Sequence, residues 1–211
     1  IDGDDARDFD DAVSVEGGDA GGFTLRVHIA DVSHYVQAGS ALDGDARDRG
    51  TSVYFPDRAV HMFPADLATG LCSLKPRADR LVQSCVVDLD AGGEPTRVGF
   101  CDGVIRSHAR LTYTGVNAVL TGQPVPGDPI DAPVAAMLRE MHALFRLLRD
   151  RRRRRGSIDF DLPEAEITLD EEGEVEAITA SARNDAHRLI EEFMLLANES
   201  VAAELERRDV P

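Results

Sequence analysis

The chain has 211 residues, enough for one domain or two small ones, and its 43% content of apolar residues excludes an intrinsically disordered protein. No apolar run approaches the length of about 18 residues that a membrane-spanning helix needs, and no signal peptide is recognisable. The formal net charge of −16 is unevenly distributed, with acids crowded into residues 1–20 and arginines into residues 139–155, so it does not by itself exclude a nucleic-acid ligand.

The first half of the chain predicts two β-hairpins. Short β-rich runs at residues 10–16 and 24–31 flank a glycine-rich turn, and longer runs at residues 82–90 and 96–106 flank a second one. Between the two hairpins, Ser40 is a candidate cap for a short helix.

The second half predicts two long helices with strands between them. Apolar residues recur at helical spacing from Val134 to Leu148 and again along residues 184–207. The arginines of residues 151–155 suit a helix C-terminus, and we expect a solvated helix end there rather than a phosphate contact. Hairpins combined with helices favour an α+β fold, with a mixed, largely antiparallel sheet and flanking long helices. Three short strands are predicted between the helices, at residues 157–161, 166–169 and 174–180.

An acidic cluster at the start of the chain carries the clearest functional signal. Six aspartates lie between Asp2 and Asp11, and a β-rich run follows at once. Carboxylates a few ångströms apart repel one another by about 1–4 kcal/mol, and divalent cations with oxygen ligands relieve this repulsion. An EF-hand is disfavoured because Arg7 stands where its loop requires glycine. A solvated acidic surface is the alternative, and the interleaved Phe9 and Ala12 weigh against it.

The point at which the first strand begins decides how many acids can converge. If the strand has begun by Asp8, then Asp8 and Asp10 share one face and Asp11 lies on the other. If the loop extends to Asp10, several carboxylates can meet. Hydrolysis of a phosphodiester with two Mg²⁺ ions about 4 Å apart needs such a group of oxygen ligands.

Six motifs resemble the RNase II/RNase R family, the 3′→5′ exoribonucleases with an RNB catalytic domain. They occur in family order, cover nearly the whole chain, and match the RNase R branch better than the RNase II branch. The motifs are the acidic segment Ile1–Ala12 and the segments Val27–Val36, Arg49–Pro56, Leu71–Pro76, Ser107–Tyr113 and Arg183–Glu192.

The resemblance implies separate roles for four of the aspartates. Asp2 and Asp11 would bind metal directly, and Asp8 would help to bind a second ion. Asp10 would be required for the chemical step. The implied cofactor is Mg²⁺, with Mn²⁺ as an alternative. The other two acids, Asp4 and Asp5, are expected either at the surface or behind the metal ligands, without binding the metal directly.

The resemblance also implies four residues that contact RNA. Tyr54 and Phe160 match aromatic residues at the two ends of a short base stack, with Tyr54 near the 3′ end. Tyr113 and Glu191 match positions that contact the terminal nucleotides, and a Glu191 bond to a ribose 2′-hydroxyl would favour RNA over DNA. Taken from the residues alone, Tyr54 is equally well explained by core packing, and Glu191 by an ordinary helix surface.

The expected function is that of a Mg²⁺-dependent hydrolytic 3′→5′ exoribonuclease that releases nucleoside 5′-monophosphates from single-stranded RNA. The alternative is a non-catalytic RNA-binding module of the RNB type. An unpaired carboxylate set favours the enzyme, because a module that only binds RNA gains nothing from the repulsion.

The resemblance further predicts what surrounds this chain. We expect residues 1–211 to be a partial RNB domain without its C-terminal part and without cold-shock and S1 domains, and to be weak or inactive alone. Three cysteines without metal or disulfide spacing favour the cytoplasm. A monomer is expected.

Overall fold

The computed structural model describes residues 1–158, 165–180 and 183–210. These residues contain helices and strands in a mixed order. A single 3₁₀ turn at Asp19–Gly21 and a π-helical turn at Asp66–Leu71 accompany them. In chain order the elements are β1 (Asp11–Gly17), β2 (Phe23–Ala30), α1 (Val32–Tyr35), α2 (Ala41–Arg49), β3 (Val53–Tyr54), β4 (Ala59–Val60), β5 (Asp79–Leu89), β6 (Pro95–Arg106), α3 (Tyr113–Thr121), α4 (Ala132–Arg154), β7 (Ala165–Leu169), β8 (Val175–Ala180) and α5 (Asp185–Arg207).

The main sheet has four strands in the order β1-β2-β5-β6, and neighbouring strands are antiparallel. The first hairpin pairs Asp11 with Ile29 and Gly17 with Phe23, and the second hairpin lies beside it through β2 and β5. Strands β3 and β4 form a small separate hairpin, as do β7 and β8. The predicted α+β fold with a largely antiparallel sheet and long helices is therefore confirmed.

Helices α4 and α5 cover one face of the sheet. Their apolar residues recur every three or four positions, which places them on one stripe of each helix. The largest fully buried side chains of this core are Phe145, Phe193, Leu25, Leu138, Met141, Leu144 and Leu189. A smaller apolar cluster around Leu74 and Val82 lies apart from this core and packs against Phe9 of the acidic loop.

The arginine-rich end of α4 is joined to its neighbours by ion pairs. Arg152 Nε lies 2.8 Å from Oε1 of Glu192, a residue of α5 that is only 5% exposed. Arg155 pairs with Glu199 of α5 at 2.6 Å, and a third arginine of the run pairs with a glutamate of the β5–β6 turn. The expectation of a solvated helix end is wrong for Arg152, which pairs with a buried glutamate, whereas the paired Arg155 remains 51% exposed.

The strands predicted between the two long helices are confirmed in part. The second and third correspond to β7 and β8. Of the first, Ser157 and Ile158 are not in a strand, and residues 159–161 lie outside the described residues. In the part of the chain that the structure describes, no helix combines the length and the apolar content needed to cross a bilayer.

Candidate active site at the acidic loop

The acidic loop comprises residues 2–11 and runs directly into the edge of the main sheet. Strand β1 begins at Asp11, so the irregular part of the loop extends through Asp10 and the carboxylates before Asp11 are free of the strand alternation. The backbone N–H of Ala30 in β2 donates to the Asp10 carbonyl at 2.9 Å. The end of the loop is thereby fixed by the rigid sheet.

The start of the loop is fixed by the segment that leads into α3. The Asp2 N–H donates to the Leu111 carbonyl at 3.1 Å, and the Tyr113 N–H donates to the Asp2 carbonyl at 3.1 Å. These two bonds make a short parallel bridge between Asp2 and Thr112. Thr112 is itself the N-cap of α3, so Asp2 and Tyr113 are held together at the first turn of this helix.

Arg110 holds the outer part of the loop. This role was not predicted from the sequence. Its Nη2 donates to the carbonyl oxygens of Gly3 and Asp4 at 2.6 and 2.7 Å. Its guanidinium also lies 5.6 Å from the centre of the Phe9 ring. In the sequence, Arg110 is marked only by its position within the Ser107–Tyr113 motif, and this position does not indicate which groups its guanidinium binds.

Ser73 holds the middle of the loop. Its role was likewise not predicted from the sequence. Its hydroxyl donates to the Arg7 carbonyl at 2.9 Å and accepts the Phe9 N–H at 3.1 Å. The next residue, Leu74, donates its N–H to the Phe9 carbonyl at 2.8 Å. Since Ser73 is 0% exposed, these bonds are shielded from water.

We expect Ser73→Ala to destabilise the protein by about 1–3 kcal/mol, because the Phe9 N–H and the Arg7 carbonyl lose a shared buried partner. Urea unfolding measures this loss. Ser33→Ala is the matched control, since Ser33 is exposed and its hydroxyl bonds the half-buried Asp31. Equal unfolding free energies for the two variants would show that Ser73 does not hold the loop.

The carboxylates of the loop repel one another. Asp10 is an exposed residue, but partial burial of its carboxylate raises its pKa above the ordinary value of 3.8. The negative charges of Asp8, Asp11 and Asp2 raise this pKa further. Burial is the largest cause of the raised pKa of Asp11; the charge of the N-terminal ammonium group lowers this pKa, and the charge of Asp2 raises it. The buried Oδ2 atom of Asp11 has no hydrogen-bond partner among the described residues. A cation at this loop would relieve all of these costs.

The donor chemistry of the loop fits Mg²⁺ or Mn²⁺, because every candidate ligand is a carboxylate oxygen and one of them lacks a partner. The carboxylates do not already form a coordination shell. Across residues 1–158, 165–180 and 183–210, no three His, Cys, Asp or Glu side chains are grouped closely enough to hold a metal ion. Metal binding at the loop therefore requires the side chains to move towards one another.

Tyr54 lies at the Asp8 end of the loop. Its hydroxyl donates to Asp8 Oδ2 at 2.6 Å, and this bond is the main reason why its pKa is raised to about 12. The side chain is 64% exposed, which rules out core packing as the role of this tyrosine. An exposed aromatic ring bonded to a carboxylate of the cluster is available to a ligand.

Tyr113 lies at the Asp2 end of the loop. Burial, and then the charges of Asp2 and Asp11, raise its pKa to about 12. Its ring stacks on His187 of α5, with 3.9 Å between ring centres and 19° between planes. Asn184 caps α5 and bonds the same imidazole at 2.9 Å, so the His187 ring has a fixed orientation.

Glu191 lies on α5 four residues after His187, and therefore on the same face of this helix as the residue that stacks on Tyr113. Its carboxylate accepts a short hydrogen bond from Arg183. The interpretation of Glu191 as an ordinary free helix-surface residue is thus too simple. Phe160 lies outside the described residues, and its role stays a prediction.

The comparisons with known proteins agree over the whole chain. A family model described as RNB domain matches residues 1–211. Ribonuclease R of Escherichia coli K12 is 46% identical over 211 residues, which are 100% of this chain and 26% of that protein. The structure of Mycoplasma genitalium RNase R in complex with ribose methylated single-stranded RNA is similar with a TM-score of 0.93 at 33% identity, over 99% of this chain and 32% of that one.

The same Mycoplasma genitalium protein in complex with double-stranded RNA gives a TM-score of 0.94 at 33% identity, over 99% of this chain and 37% of that one. The chain thus spans between 26% and 37% of the length of these relatives. Because the family model covers every residue and the fold of the relatives is reproduced, the chain belongs to the RNB domain family.

Proposed function

We propose that this chain is the catalytic core of a Mg²⁺-dependent 3′→5′ exoribonuclease, which hydrolyses single-stranded RNA and releases nucleoside 5′-monophosphates. The observation that carries the proposal is the group of mutually repelling carboxylates in the acidic loop, where burial and then the charges of three neighbouring acids raise the pKa of Asp10. A module that only bound RNA would be weakened by negative charge at this place, since RNA is itself an anion.

The relatives support the chemistry and the substrate. They are named as ribonuclease R, and the solved structures hold single-stranded and double-stranded RNA. We extend this to the present chain, with the 3′ end of single-stranded RNA as the ligand of the acidic loop.

The proposed roles follow the positions of the side chains. Asp2, Asp8 and Asp11 would hold the metal, and a pair of bound ions would activate water and neutralise the leaving oxygen. Asp10 is exposed to solvent beside these acids, so it is accessible to the water and the phosphodiester. We assign Asp10 to the chemical step.

The two tyrosines would receive the RNA on either side of the acids. The exposed ring of Tyr54 offers a stacking surface for a base, which is worth about 1–3 kcal/mol and tolerates any sequence. Tyr113 and Glu191 would contact the terminal nucleotides, and an acceptor at Glu191 for the 2′-hydroxyl would favour RNA. We propose that Phe160 contacts the base at the other end of the stack.

Release of labelled mononucleotides tests the function. The full-length protein that contains this chain is incubated with the same RNA labelled at its 3′ or its 5′ end, with Mg²⁺ or with a chelator. We expect the 3′ label to appear at once in a mononucleotide, and the 5′ label to pass through a ladder of shorter products. Both should depend on the metal.

The outcomes separate the two functions under consideration. RNA binding without release of mononucleotides would establish the non-catalytic module instead. Internal fragments that carry the 5′ label before any mononucleotide appears would contradict an exonuclease. The 211-residue chain alone, which spans 26% of the length of a relative, is expected to give little product.

Metal binding can be tested without any cleavage. We expect Mg²⁺ to raise the melting temperature of the chain, because a ligand at 100 times its Kd stabilises the native state by about 2.7 kcal/mol. The double variant Asp2→Asn, Asp11→Asn should lose this shift. A double variant of the two exposed acids, Asp4→Asn, Asp5→Asn, removes the same charge and should keep it. A shift that survives in the first variant would place the metal elsewhere.

Without metal, the Asp2→Asn, Asp11→Asn variant should be more stable than the unmodified chain at neutral pH. The raised pKa of Asp11 means that its ionised form is unfavourable in the folded state, so this cost is present above the raised pKa. The advantage of the variant should shrink as the pH falls through that pKa, and the Asp11 contribution should be gone below its ordinary value of 3.8. An advantage that grows towards acid pH would contradict this account.

Two properties of the whole protein are also proposed. All three cysteines are free in the structure, which is expected in a reducing compartment and supports the cytoplasm. We propose a monomer, which sedimentation would test.

A further inference from the structure

The hairpin that carries Tyr54 cannot fix the tyrosine ring by itself. Strands β3 and β4 have two residues each, and all four side chains are exposed. An isolated two-stranded hairpin of this kind has little stability of its own. An aromatic ring that stacks on an RNA base nevertheless has to be ordered before the RNA binds, since ordering the ring during binding would cost affinity.

His61, the residue that follows β4, supports the ring from one side. Its imidazole meets Tyr54 edge to face, with 6.3 Å between ring centres and 84° between planes. The His61 side chain is only 18% exposed. Its carbonyl accepts a bond from Arg49 at 3.3 Å, and the next N–H, of Met62, donates to Ser52 Oγ at 2.9 Å. His61 is therefore anchored on two sides.

Asp8 supports the same ring from its hydroxyl end. Asp8 Oδ2 accepts the Tyr54 hydroxyl at 2.6 Å, and His61 Nδ1 lies 3.7 Å from this oxygen. The longer distance exceeds a hydrogen bond. Nδ1 is buried, and it has no hydrogen-bond partner among the described residues. The contact between His61 and Tyr54 is made by the imidazole ring, which meets the tyrosine edge to face.

We infer that His61 is a positioning residue, which holds the Tyr54 ring beside Asp8 and so fixes the distance between the stacking platform and the acidic loop. This inference rests on the proposed function for the meaning of both partners. His61 would thereby help to set the length of the shortest RNA that stays bound in register.

The position of the ring can be measured without RNA in the 211-residue chain. The chain has three tyrosines, so the ring signals are few in an NMR spectrum with ¹³C-labelled tyrosine, and Tyr54→Phe identifies the one from Tyr54. In His61→Ala we expect increased motion of the Tyr54 ring, with Tyr35 and Tyr113 unchanged. In His61→Phe, which keeps an aromatic edge, the ring should stay ordered. An equally ordered ring in His61→Ala would overturn the inference.

The consequence for RNA is measured on the full-length enzyme. His61→Ala should leave a longer final product and weaken the binding of a short RNA by about tenfold, as expected for the loss of one base stack. His61→Phe, which keeps an aromatic edge against Tyr54, should restore the short product. An unchanged product length in His61→Ala, or no rescue by phenylalanine, would contradict a role of the ring.

Tyr54→Phe gives a second approach that leaves His61 in place. With the hydroxyl removed, the contact with His61 should still hold the ring, so the product should stay nearer to the natural length than in Tyr54→Ala. Identical products from the two Tyr54 variants would count against His61. If the unmodified enzyme releases no mononucleotides while the NMR result holds, the proposed function fails and the positioning of the ring by His61 stands.

Discussion

Asp10→Asn is expected to bring RNA cleavage by the full-length enzyme close to the limit of detection while RNA binding is retained. The substitution keeps the shape of the side chain and removes one negative charge from a group of four acids, so the approach of an anionic RNA becomes no less favourable. If Asp10 takes part in the chemical step, its loss costs about 10²–10⁴-fold in turnover. Single-turnover cleavage and filter binding of the same labelled RNA measure the two effects separately.

The matched control is Asp5→Asn, which removes the same charge from an exposed position in the same loop. It should leave cleavage nearly unchanged. If Asp10→Asn lost RNA affinity and turnover to the same extent, a structural role would replace the catalytic one. A fall in the melting temperature of Asp10→Asn would point the same way.

The largest expected effect on stability comes from Glu192→Ala. The carboxylate of Glu192 is 5% exposed and accepts a bond from Arg152 at 2.8 Å, which joins the two long helices beneath the surface. Removal of one partner of a buried ion pair costs about 3–5 kcal/mol. In a chain of this size, each kcal/mol corresponds to roughly 2–4 °C in melting temperature.

A neighbouring ion pair supplies the control for this prediction. Glu199 bonds Arg155 on the same two helices, but the side chains are 47% and 51% exposed. Such pairs contribute about 0–1 kcal/mol, so Glu199→Ala should be nearly neutral. Urea unfolding of both variants provides the comparison. Similar losses in the two would show that the burial of Glu192 does not matter.

The elements with strong periodicity could be predicted from the sequence. Helices α4 and α5 and the hairpins of the main sheet follow their apolar patterns, because burial of one face decides the conformation. Helix α3 was not predicted, since Thr114, Gly115 and Val116 are poor helix formers. The Thr112 cap is a local feature, but the complete burial of Val116 against the core, which also stabilises the helix, depends on tertiary structure.

The residue types of the candidate site could likewise be predicted, but not its supports. Six aspartates in a short run mark the loop by themselves. Ser73 and Arg110 were missed because a hydrogen bond to a backbone carbonyl leaves no pattern in the sequence. The role of His61 was also not predicted, since a histidine that packs its ring against a tyrosine has no distinguishing pattern in the sequence. The metal remains a proposal, because the described carboxylates do not form a ready shell.

The supports of the acidic loop have a consequence for the order of folding. The bond from Phe9 to Ser73 spans 64 residues, and the bond from Arg110 to Gly3 spans 107. Closing such long loops is slow, and it cannot occur on the ribosome until the distant partner has been synthesised. The acidic loop therefore cannot reach its folded arrangement before Ser73 and Arg110 have been synthesised. Assembly of the acidic centre is thus a late event in the folding of this chain.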